Sequence, residues 1–266
     1  YVGYTANSDT KTGVYGIEQY FNGILAGQQG SIKTEADLHG NWITGSSREM
    51  VPEKDGSNLL LTIDRSIEFK AESVLKQTVQ QHSADSGSVI VMDVKTGAIL
   101  AMANYPDFDP NNYGSAASPS DYVNSSTMRP YEPGSTMKAI TMATALNLNV
   151  VNPQTTYVDA GFVEVAGYKI KNAESTPFGE QTMIQLLDKS LNTGAIFVEN
   201  KIGNQDFLQS LKNFGFGQAT NIELPELLGD IATLNNDSEI NFDTASFGQG
   251  ITVTPLQMVA AYGALA

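Results

Sequence analysis

A change in the spacing of apolar residues along the chain is the feature that most constrains its fold. Residues 88–92 and 98–102 are two short apolar runs on either side of a turn at 95–97, a pattern typical of a β-hairpin. From Ser135 onward, apolar residues recur mainly at helical spacing. Strands followed by helices predict an α+β domain, in which an antiparallel sheet lies beside a mainly helical subdomain.

Other segments are assigned from their composition and from the spacing of their apolar residues. The first 56 residues are rich in Gly, Ser, Thr and charge, and we interpret them as the end of a linker or accessory region before a domain at 57–266. Residues 104–131 are predicted to form a long loop. In a helix predicted at 65–82, five apolar residues share one face: Ile67, Ala71, Val74, Leu75 and Val79. The remaining predictions are a strand at 59–63, a hairpin at 156–171, and helices at 182–187, 195–202, 205–214 and 255–266.

Composition argues against several kinds of chemistry. The chain has no cysteine, which excludes disulfides, thiolate metal sites and cysteine nucleophiles. The net charge of −14 argues against a nucleic-acid partner, because phosphate binding needs clustered Lys and Arg. No apolar run reaches the ~18 residues of a membrane span. The two histidines, His39 and His82, lie in polar surroundings, which argues against a Ser-His-Asp triad or a two-histidine metal site. No metal and no other cofactor is predicted.

A serine nucleophile without a histidine needs another base, and lysine can serve. The pattern Ser-x-x-Lys suits this role, because residues three apart on a helix face the same way. With 21 serines and 12 lysines, about one match is expected by chance. Three occur, at Ser8/Lys11, Ser73/Lys76 and Ser135/Lys138. The first has no apolar helix around it, and Ser73 lies in mid-helix, where a serine hydroxyl tends to bond to the preceding turn.

Ser135 differs from the other two serines because it begins a predicted apolar helix. Pro133 and Gly134 stop any earlier helix, so Ser135 falls where free backbone N–H groups and the helix dipole favour negative charge. Burial in apolar surroundings would lower the pKa of Lys138, and only a neutral amine can accept the serine proton. The alternative interpretation is that Ser135 caps the helix and Lys138 extends to water.

A second candidate segment is Ser190-Leu191-Asn192. Ser190 is the only serine of the chain that is followed two residues later by asparagine, and it lies in a polar break between two predicted helices. Its hydroxyl could relay a proton to a leaving group, while the Asn192 amide bonds both Lys138 and a substrate amide. The alternative is that the segment ends one helix and caps the next.

The two motifs in this order, Ser135-x-x-Lys138 and then Ser190-x-Asn192, resemble those of the penicillin-binding proteins and serine β-lactamases. Nine segments, in the family's order, resemble the monofunctional (class B) penicillin-binding proteins. They are 16–25 with Gly30, 61–64, 96–102, 105–111, 132–135, 192–194, 213–217, 247–250 and 254–257. The resemblance implies the fold shared by the penicillin-binding proteins and serine β-lactamases.

The resemblance also implies a function, that of a peptidoglycan D,D-transpeptidase. D-Ala-D-Ala stem peptides would acylate Ser135, and a second stem-peptide amine would resolve the acyl-enzyme. Lys138 would be the base, assisted by Ser190 and Asn192, and β-lactams would acylate the same serine. Substrate-binding residues would be Glu132, Gly134, Thr193, Gly248, Gln249 and Gly250.

The family's setting is implied as well. The protein would lie on the outer face of the bacterial cell membrane, anchored by an N-terminal helix of the parent protein. Its partners would be peptidoglycan stem peptides, the lipid-linked precursor, a glycosyltransferase and other proteins of the division or elongation machinery.

The third motif of the family, Lys-Thr-Gly, follows Ser-x-Asn on a strand beside the cleft. The copies in this chain, at 11–13 and 95–97, both precede Ser135, so neither is expected to serve as that motif. We therefore expect the transpeptidase domain to be incomplete at its C-terminus and the chain alone to be impaired. Two alternatives remain open. One is a serine β-lactamase or β-lactam sensor, whose deacylating carboxylate or transmembrane segment we cannot place, and the other is a non-catalytic cell-wall scaffold.

Overall fold

The computed structural model describes residues 4–5, 12–33, 39, 48–174 and 176–266. The chain divides into two compact units. The first comprises Tyr1–Thr62, Pro106–Val123 and Glu223–Pro225, and the second comprises Ile63–Tyr105, Asn124–Ile222 and Glu226–Ala266. The boundary predicted at residue 56 between an accessory region and a transpeptidase domain stays a prediction. Within the described residues, no helix combines the length and the apolar character that a membrane span requires.

The first unit is built from short elements. These are β1 (Tyr4–Thr5), β2 (Gly13–Val14), α1 (Gly16–Tyr20), α2 (Asn22–Leu25), β3 (Ser31–Lys33) and β4 (Glu49–Val51), with 3-10 helices at Pro110–Ser115 and Pro119–Tyr122. Strands pair antiparallel as β1 with β2 and β3 with β4. Each 3-10 helix has proline in its first turn and begins at a polar cap, Asp109 or Ser118. The long loop predicted at 104–131 therefore contains ordered turns.

The second unit carries the larger core. Its elements are α3 (Arg65–Gln81), β5 (Gly87–Met92), β6 (Ile99–Tyr105), α4 (Ser125–Met128), α5 (Met137–Asn147), β7 (Thr156–Asp159), β8 (Phe162–Val165), β9 (Tyr168–Lys171), β10 (Gly179–Thr182), α6 (Met183–Asp188), α7 (Asn192–Ile202), α8 (Asn204–Asn213), α9 (Glu239–Ala245) and α10 (Pro255–Gly263). Helices and antiparallel strand pairs together confirm the predicted α+β class.

The predicted hairpin at 88–102 is confirmed, because β5 and β6 pair antiparallel. Helix α3 packs against this pair, where Leu75 and Val79 contact Ala103. The helix begins at Asp64, whose carboxylate accepts hydrogen bonds from the backbone N–H groups of Ser66 and Ile67.

Helix α5 lies in the main apolar core of this unit. Met137, Ile140 and Ala145 are fully buried, and the helix packs against α7 and α8. The four helices predicted after residue 180 are confirmed as α6, α7, α8 and α10. Because the start of α5 lies in close-packed surroundings, side chains of its first turn are held in place.

Three local predictions are wrong. Residues 59–63 form no strand: Leu60 is fully exposed, and no described strand pairs with this segment. Val74 does not share the buried face of α3, since it is 44% exposed. The hairpin predicted at 156–171 is two separate pairs, because β7 pairs with β10 and β8 pairs with β9. The chain leaves β7 sharply at Gly161, whose φ is +82° and whose N–H donates to the Asp159 carboxylate.

Candidate active site

Ser135 lies in a tight turn that leads directly into α5. Gly134 has a φ of +57°, which favours glycine, and a 3-10 turn at Gly134–Thr136 then passes into the helix. The Thr136 hydroxyl donates to the Pro133 carbonyl at 2.7 Å and closes this turn. Neither the turn nor α5 has a side-chain cap at its start, so Ser135 does not act as a helix cap. Its side chain is exposed and accessible to a ligand.

Lys138 is buried, only 3% exposed, which contradicts the alternative in which it extends to water. Its Nζ atom lies 3.2 Å from Oγ of Ser135, 3.0 Å from Oγ of Ser190 and 2.8 Å from Oδ1 of Asn192. It also donates to the Ser190 carbonyl at 2.6 Å. The structure thus brings the four predicted catalytic side chains together around one amine.

Burial lowers the pKa of Lys138 to about 8. Removal from water penalises the charged ammonium, so about a tenth of the amine is neutral at pH 7 and about half at pH 8. A neutral amine has a lone pair that can accept the proton of the adjacent serine hydroxyl. The geometry and the protonation state therefore suit a general base for Ser135.

Ser190 is placed by the end of α6. The backbone N–H of Leu191 donates to the carbonyl of Leu186, and that of Ser190 donates to the carbonyl of Leu187, which is the Schellman pattern of a helix end. Ser190 occupies the left-handed position of this motif, with a φ of +54°, where glycine is usual. A serine held in this unfavourable conformation is consistent with a functional need for its hydroxyl.

Asn192 is the first residue of α7, and its amide is held at both ends. Its Oδ1 atom accepts from Lys138, and its Nδ2 atom donates to the carbonyl of Lys171 at 2.9 Å. The alternative interpretation of this segment holds for the backbone, because one helix ends and another begins there. The Asn192 side chain nevertheless does not cap α7 but contacts the lysine amine.

Four of the six predicted substrate-binding residues lie in one framework beside Ser135. The N–H of Gly134 donates to the carbonyl of Gly248, and the N–H of Gly250 donates to Oε1 of Glu132, both at 2.9 Å. A Cβ atom at position 248 would overlap the backbone of Gly134, so only glycine allows this approach. The Glu132 carboxylate is therefore engaged by the glycine-rich turn at 248–250.

The other two predicted substrate-binding residues are placed differently. Gln249 is exposed, and its backbone N–H donates to the carbonyl of Thr244. Thr193 is only 3% exposed, and its hydroxyl donates to Oδ1 of Asp159 at 2.7 Å. Direct contact of any of the six with a substrate stays a prediction.

Several residues around the site carry no recognisable sequence signal. The carbonyl of Lys171 that holds Asn192 is a backbone group, which any residue could supply. Tyr262, on α10, donates its hydroxyl to the carbonyl of Thr136 at 2.8 Å and so ties α10 to the turn that contains Ser135. Asp159 is a buried acceptor whose only local hint is the glycine two residues later.

The remaining sequence candidates lie away from this cluster or outside the described residues. Ser8 and Lys11 lie outside them. Lys95 lies in the turn between β5 and β6, and His82 is exposed at the end of α3. Among the described residues, no group of three or more His, Cys, Asp or Glu side chains is arranged to hold a metal ion.

Comparison with known families identifies the domain in which this cluster lies. The family model described as the penicillin binding protein transpeptidase domain matches residues 87–266. The chain belongs to this family. All four clustered side chains, Ser135, Lys138, Ser190 and Asn192, lie within the matched part of the transpeptidase domain.

Curated relatives and solved structures agree with the family model. The chain is 35% identical over 255 residues to stage V sporulation protein D of Bacillus subtilis (strain 168), which covers 95% of this chain and 39% of that protein. It is 32% identical over 266 residues to peptidoglycan D,D-transpeptidase FtsI of Escherichia coli (strain K12), covering 99% of this chain and 44% of that protein. The chain therefore spans about two fifths of the length of these relatives.

The fold of the chain is that of penicillin-binding protein transpeptidase domains. Penicillin binding protein 2X from Streptococcus thermophilus superposes with a TM-score of 0.85 at 27% sequence identity, over 99% of this chain and 40% of that one. The transpeptidase domain from Burkholderia pseudomallei penicillin-binding protein 3 superposes with a TM-score of 0.68 at 29% identity, over 77% of this chain and 57% of that one.

Proposed function

We propose that the protein containing this chain is a serine-type peptidoglycan D,D-transpeptidase that is also acylated by β-lactams. The observation that carries this proposal is the buried Lys138 amine, which contacts the hydroxyls of Ser135 and Ser190 and the amide oxygen of Asn192 at 3.2, 3.0 and 2.8 Å. Membership of the transpeptidase family supports this chemistry over other serine–lysine reactions.

In the first step, the Ser135 Oγ atom attacks the carbonyl carbon of the penultimate D-Ala of a stem peptide. Neutral Lys138 accepts the hydroxyl proton, so the new C–O bond forms without a free alkoxide. The amide C–N bond then breaks, and the leaving D-Ala nitrogen takes up a proton. We assign the relay of that proton to Ser190, whose hydroxyl lies 3.0 Å from the Lys138 amine.

In the second step, the amine of another stem peptide attacks the ester carbonyl of the acyl-enzyme. A new amide bond forms, the ester C–O bond breaks, and Ser135 recovers its proton. A β-lactam would follow only the first step: its ring amide is opened by Ser135, and no leaving fragment departs to make room for the acceptor amine.

The setting of this activity is part of the proposal. Peptidoglycan stem peptides are the substrates, and the lipid-linked precursor is their source. The reaction takes place at the outer face of the bacterial membrane, where the parent protein is anchored by an N-terminal helix. A glycosyltransferase and other proteins of the division or elongation machinery are the proposed partners.

The proposal is tested with the full-length protein, a D-Ala-D-Ala stem pentapeptide and an acceptor amine. We expect release of D-Ala together with a cross-linked product, and loss of both in the Ser135→Ala variant. Penicillin should form a long-lived acyl-enzyme. Rapid turnover of penicillin would instead identify a β-lactamase, and absence of any acylation would identify a non-catalytic scaffold.

A further inference from the structure

Asp159, the last residue of β7, is a buried carboxylate that is held by neutral donors. Asp159 is only 1% exposed to solvent. Four groups donate to it: the backbone N–H groups of Gly161 at 3.1 Å and Phe178 at 2.9 Å, Nδ2 of Asn172 at 2.9 Å, and Oγ1 of Thr193 at 2.7 Å. Burial alone would raise the pKa of Asp159, but these hydrogen bonds hold it below its ordinary value, so the group stays ionised.

The Asn192 amide is held between the Lys138 amine and the carbonyl of Lys171, and we call this arrangement the Asn192 clamp. Two of the donors to Asp159 directly follow residues of this clamp in the chain. Thr193 follows Asn192 itself at the start of α7. Asn172 follows Lys171, whose carbonyl accepts from Nδ2 of Asn192 at 2.9 Å. One carboxylate oxygen, Oδ1 of Asp159, accepts from both Thr193 and Asn172 and so sets the spacing between the start of α7 and the end of β9.

The network closes on itself. The backbone N–H of Thr193 also donates to Oδ1 of Asn172, at 3.2 Å. Within this frame, the Asn192 amide has one favourable orientation: its oxygen faces the donor Lys138, and its NH₂ group faces the acceptor carbonyl of Lys171. The reversed orientation would place donor against donor and acceptor against acceptor.

We propose that Asp159 is a positioning residue for catalysis. Acting through Thr193 and Asn172, it holds the Asn192 amide oxygen against the Lys138 amine. This role rests on the proposed function, because it concerns the rate at which Ser135 is acylated. Asp159 itself contacts neither Ser135 nor Lys138, and its effect passes through the spacing of two backbone segments.

The test is the Asp159→Asn variant of the full-length protein, with Asp243→Asn as its matched control. Asparagine keeps the size of the side chain but has a single acceptor oxygen, so it cannot satisfy donors on both sides. Asp243, on α9, is also 1% exposed, and its Oδ1 atom accepts from Asn200, away from the Asn192 clamp. The same substitution is thus made in two buried aspartates, of which one is linked to Asn192.

Acylation by a fluorescent penicillin is measured for both variants, alone and combined with Asn192→Ala. We expect Asp159→Asn to slow acylation of Ser135 roughly 10- to 100-fold, and Asp243→Asn to leave it unchanged. In the Asn192→Ala background, Asp159→Asn should cost less than about 2-fold more, because its effect passes through Asn192. Multiplying effects in that double variant, or a wild-type rate for Asp159→Asn, would overturn the proposal.

A crystal structure of the Asp159→Asn variant tests the positioning role without any assay of activity. We expect the Asn192 Oδ1 to Lys138 Nζ distance, 2.8 Å here, to lengthen beyond hydrogen-bond range. An unchanged distance would refute the positioning role. Failure of the wild-type protein to be acylated would instead refute the proposed function. If Asp159→Asn does not fold, Thr193→Val, which removes only the hydroxyl donor, takes its place in the same measurements.

Discussion

The Ser-x-x-Lys copies in α3 and at the start of α5 share their spacing but not their surroundings. Ser73 lies in the middle of α3, is exposed, and donates its hydroxyl to the carbonyl of Phe69 at 2.8 Å, as expected for a mid-helix serine. Lys76 is exposed to solvent. Ser135 instead precedes its helix, and Lys138 is buried among three side-chain oxygens and one carbonyl.

Three features therefore distinguish the proposed reactive pair from the surface pair. The serine must lie where its hydroxyl is not taken up by the preceding helical turn, and the lysine must be buried enough for its pKa to fall. The amine must also have acceptors that hold it in place, which Ser190 and Asn192 provide at this site.

The largest expected difference between the two copies concerns the lysines. Lys138→Arg should slow penicillin acylation of the full-length protein by ~10²–10⁴-fold, because arginine stays protonated and cannot accept the serine proton. Lys76→Arg should leave the rate unchanged. Stopped-flow acylation rates of the two variants check this. A Lys138→Arg rate within a few-fold of wild type would show that the site needs only a positive charge.

Ser190 offers a sharper view of how the buried lysine is held. Ser190→Ala and Ser190→Gly should both slow acylation by roughly 10²-fold, because both remove the relay hydroxyl. Glycine adopts the left-handed backbone at this position without strain, so the free energy of unfolding of Ser190→Gly should exceed that of Ser190→Ala by about 0.5–1 kcal/mol. Denaturant unfolding of the two variants measures this difference. Equal stabilities would mean that the positive φ at Ser190 carries no strain.

The pH dependence of acylation reports the protonation of Lys138. With a lowered pKa of about 8, the neutral fraction of this amine rises steeply with pH below that value and levels off above it. Acylation should therefore speed up about tenfold from pH 6 to pH 7 and less than about twofold from pH 8 to pH 9. A rate that is flat between pH 6 and pH 8, or that falls, would contradict a neutral-lysine base.

The smallest expected effect concerns the stability of α3. Ser73→Ala should raise the free energy of unfolding by about 0.5 kcal/mol, because alanine is the better residue at an exposed helix position. Its acylation rate should equal that of the wild type. Denaturant unfolding of the pair tests the stability. A marked loss of stability would indicate that the Ser73 hydroxyl has a structural role beyond its bond to Phe69.

The parts of the fold that sequence reasoning predicted correctly depend on local pattern. Apolar residues at helical spacing predict α3, and two apolar runs across a short turn predict β5 and β6. Pro133 and Gly134 likewise place Ser135 at the start of α5. These features need only neighbours in sequence, so the chain alone contains the information.

The parts that were missed depend on contacts between distant segments. The pairing of β7 with β10 joins residues 20 or more positions apart. Nothing in the local sequence of β7 favours β10 over β8 as its partner. Ser190 adopts a glycine-like conformation without being glycine. The role proposed for Asp159 depends on its hydrogen bonds with Thr193 and Asn172, which form only in the folded protein.

The most direct test of the account is to identify the serine that a fluorescent penicillin acylates in the full-length protein. The label should map to the peptide that contains Ser135 by mass spectrometry, and it should be lost in Ser135→Ala but retained in full in Ser73→Ala. Labelling that persists in Ser135→Ala, or that disappears in Ser73→Ala, would contradict the assignment of the nucleophile.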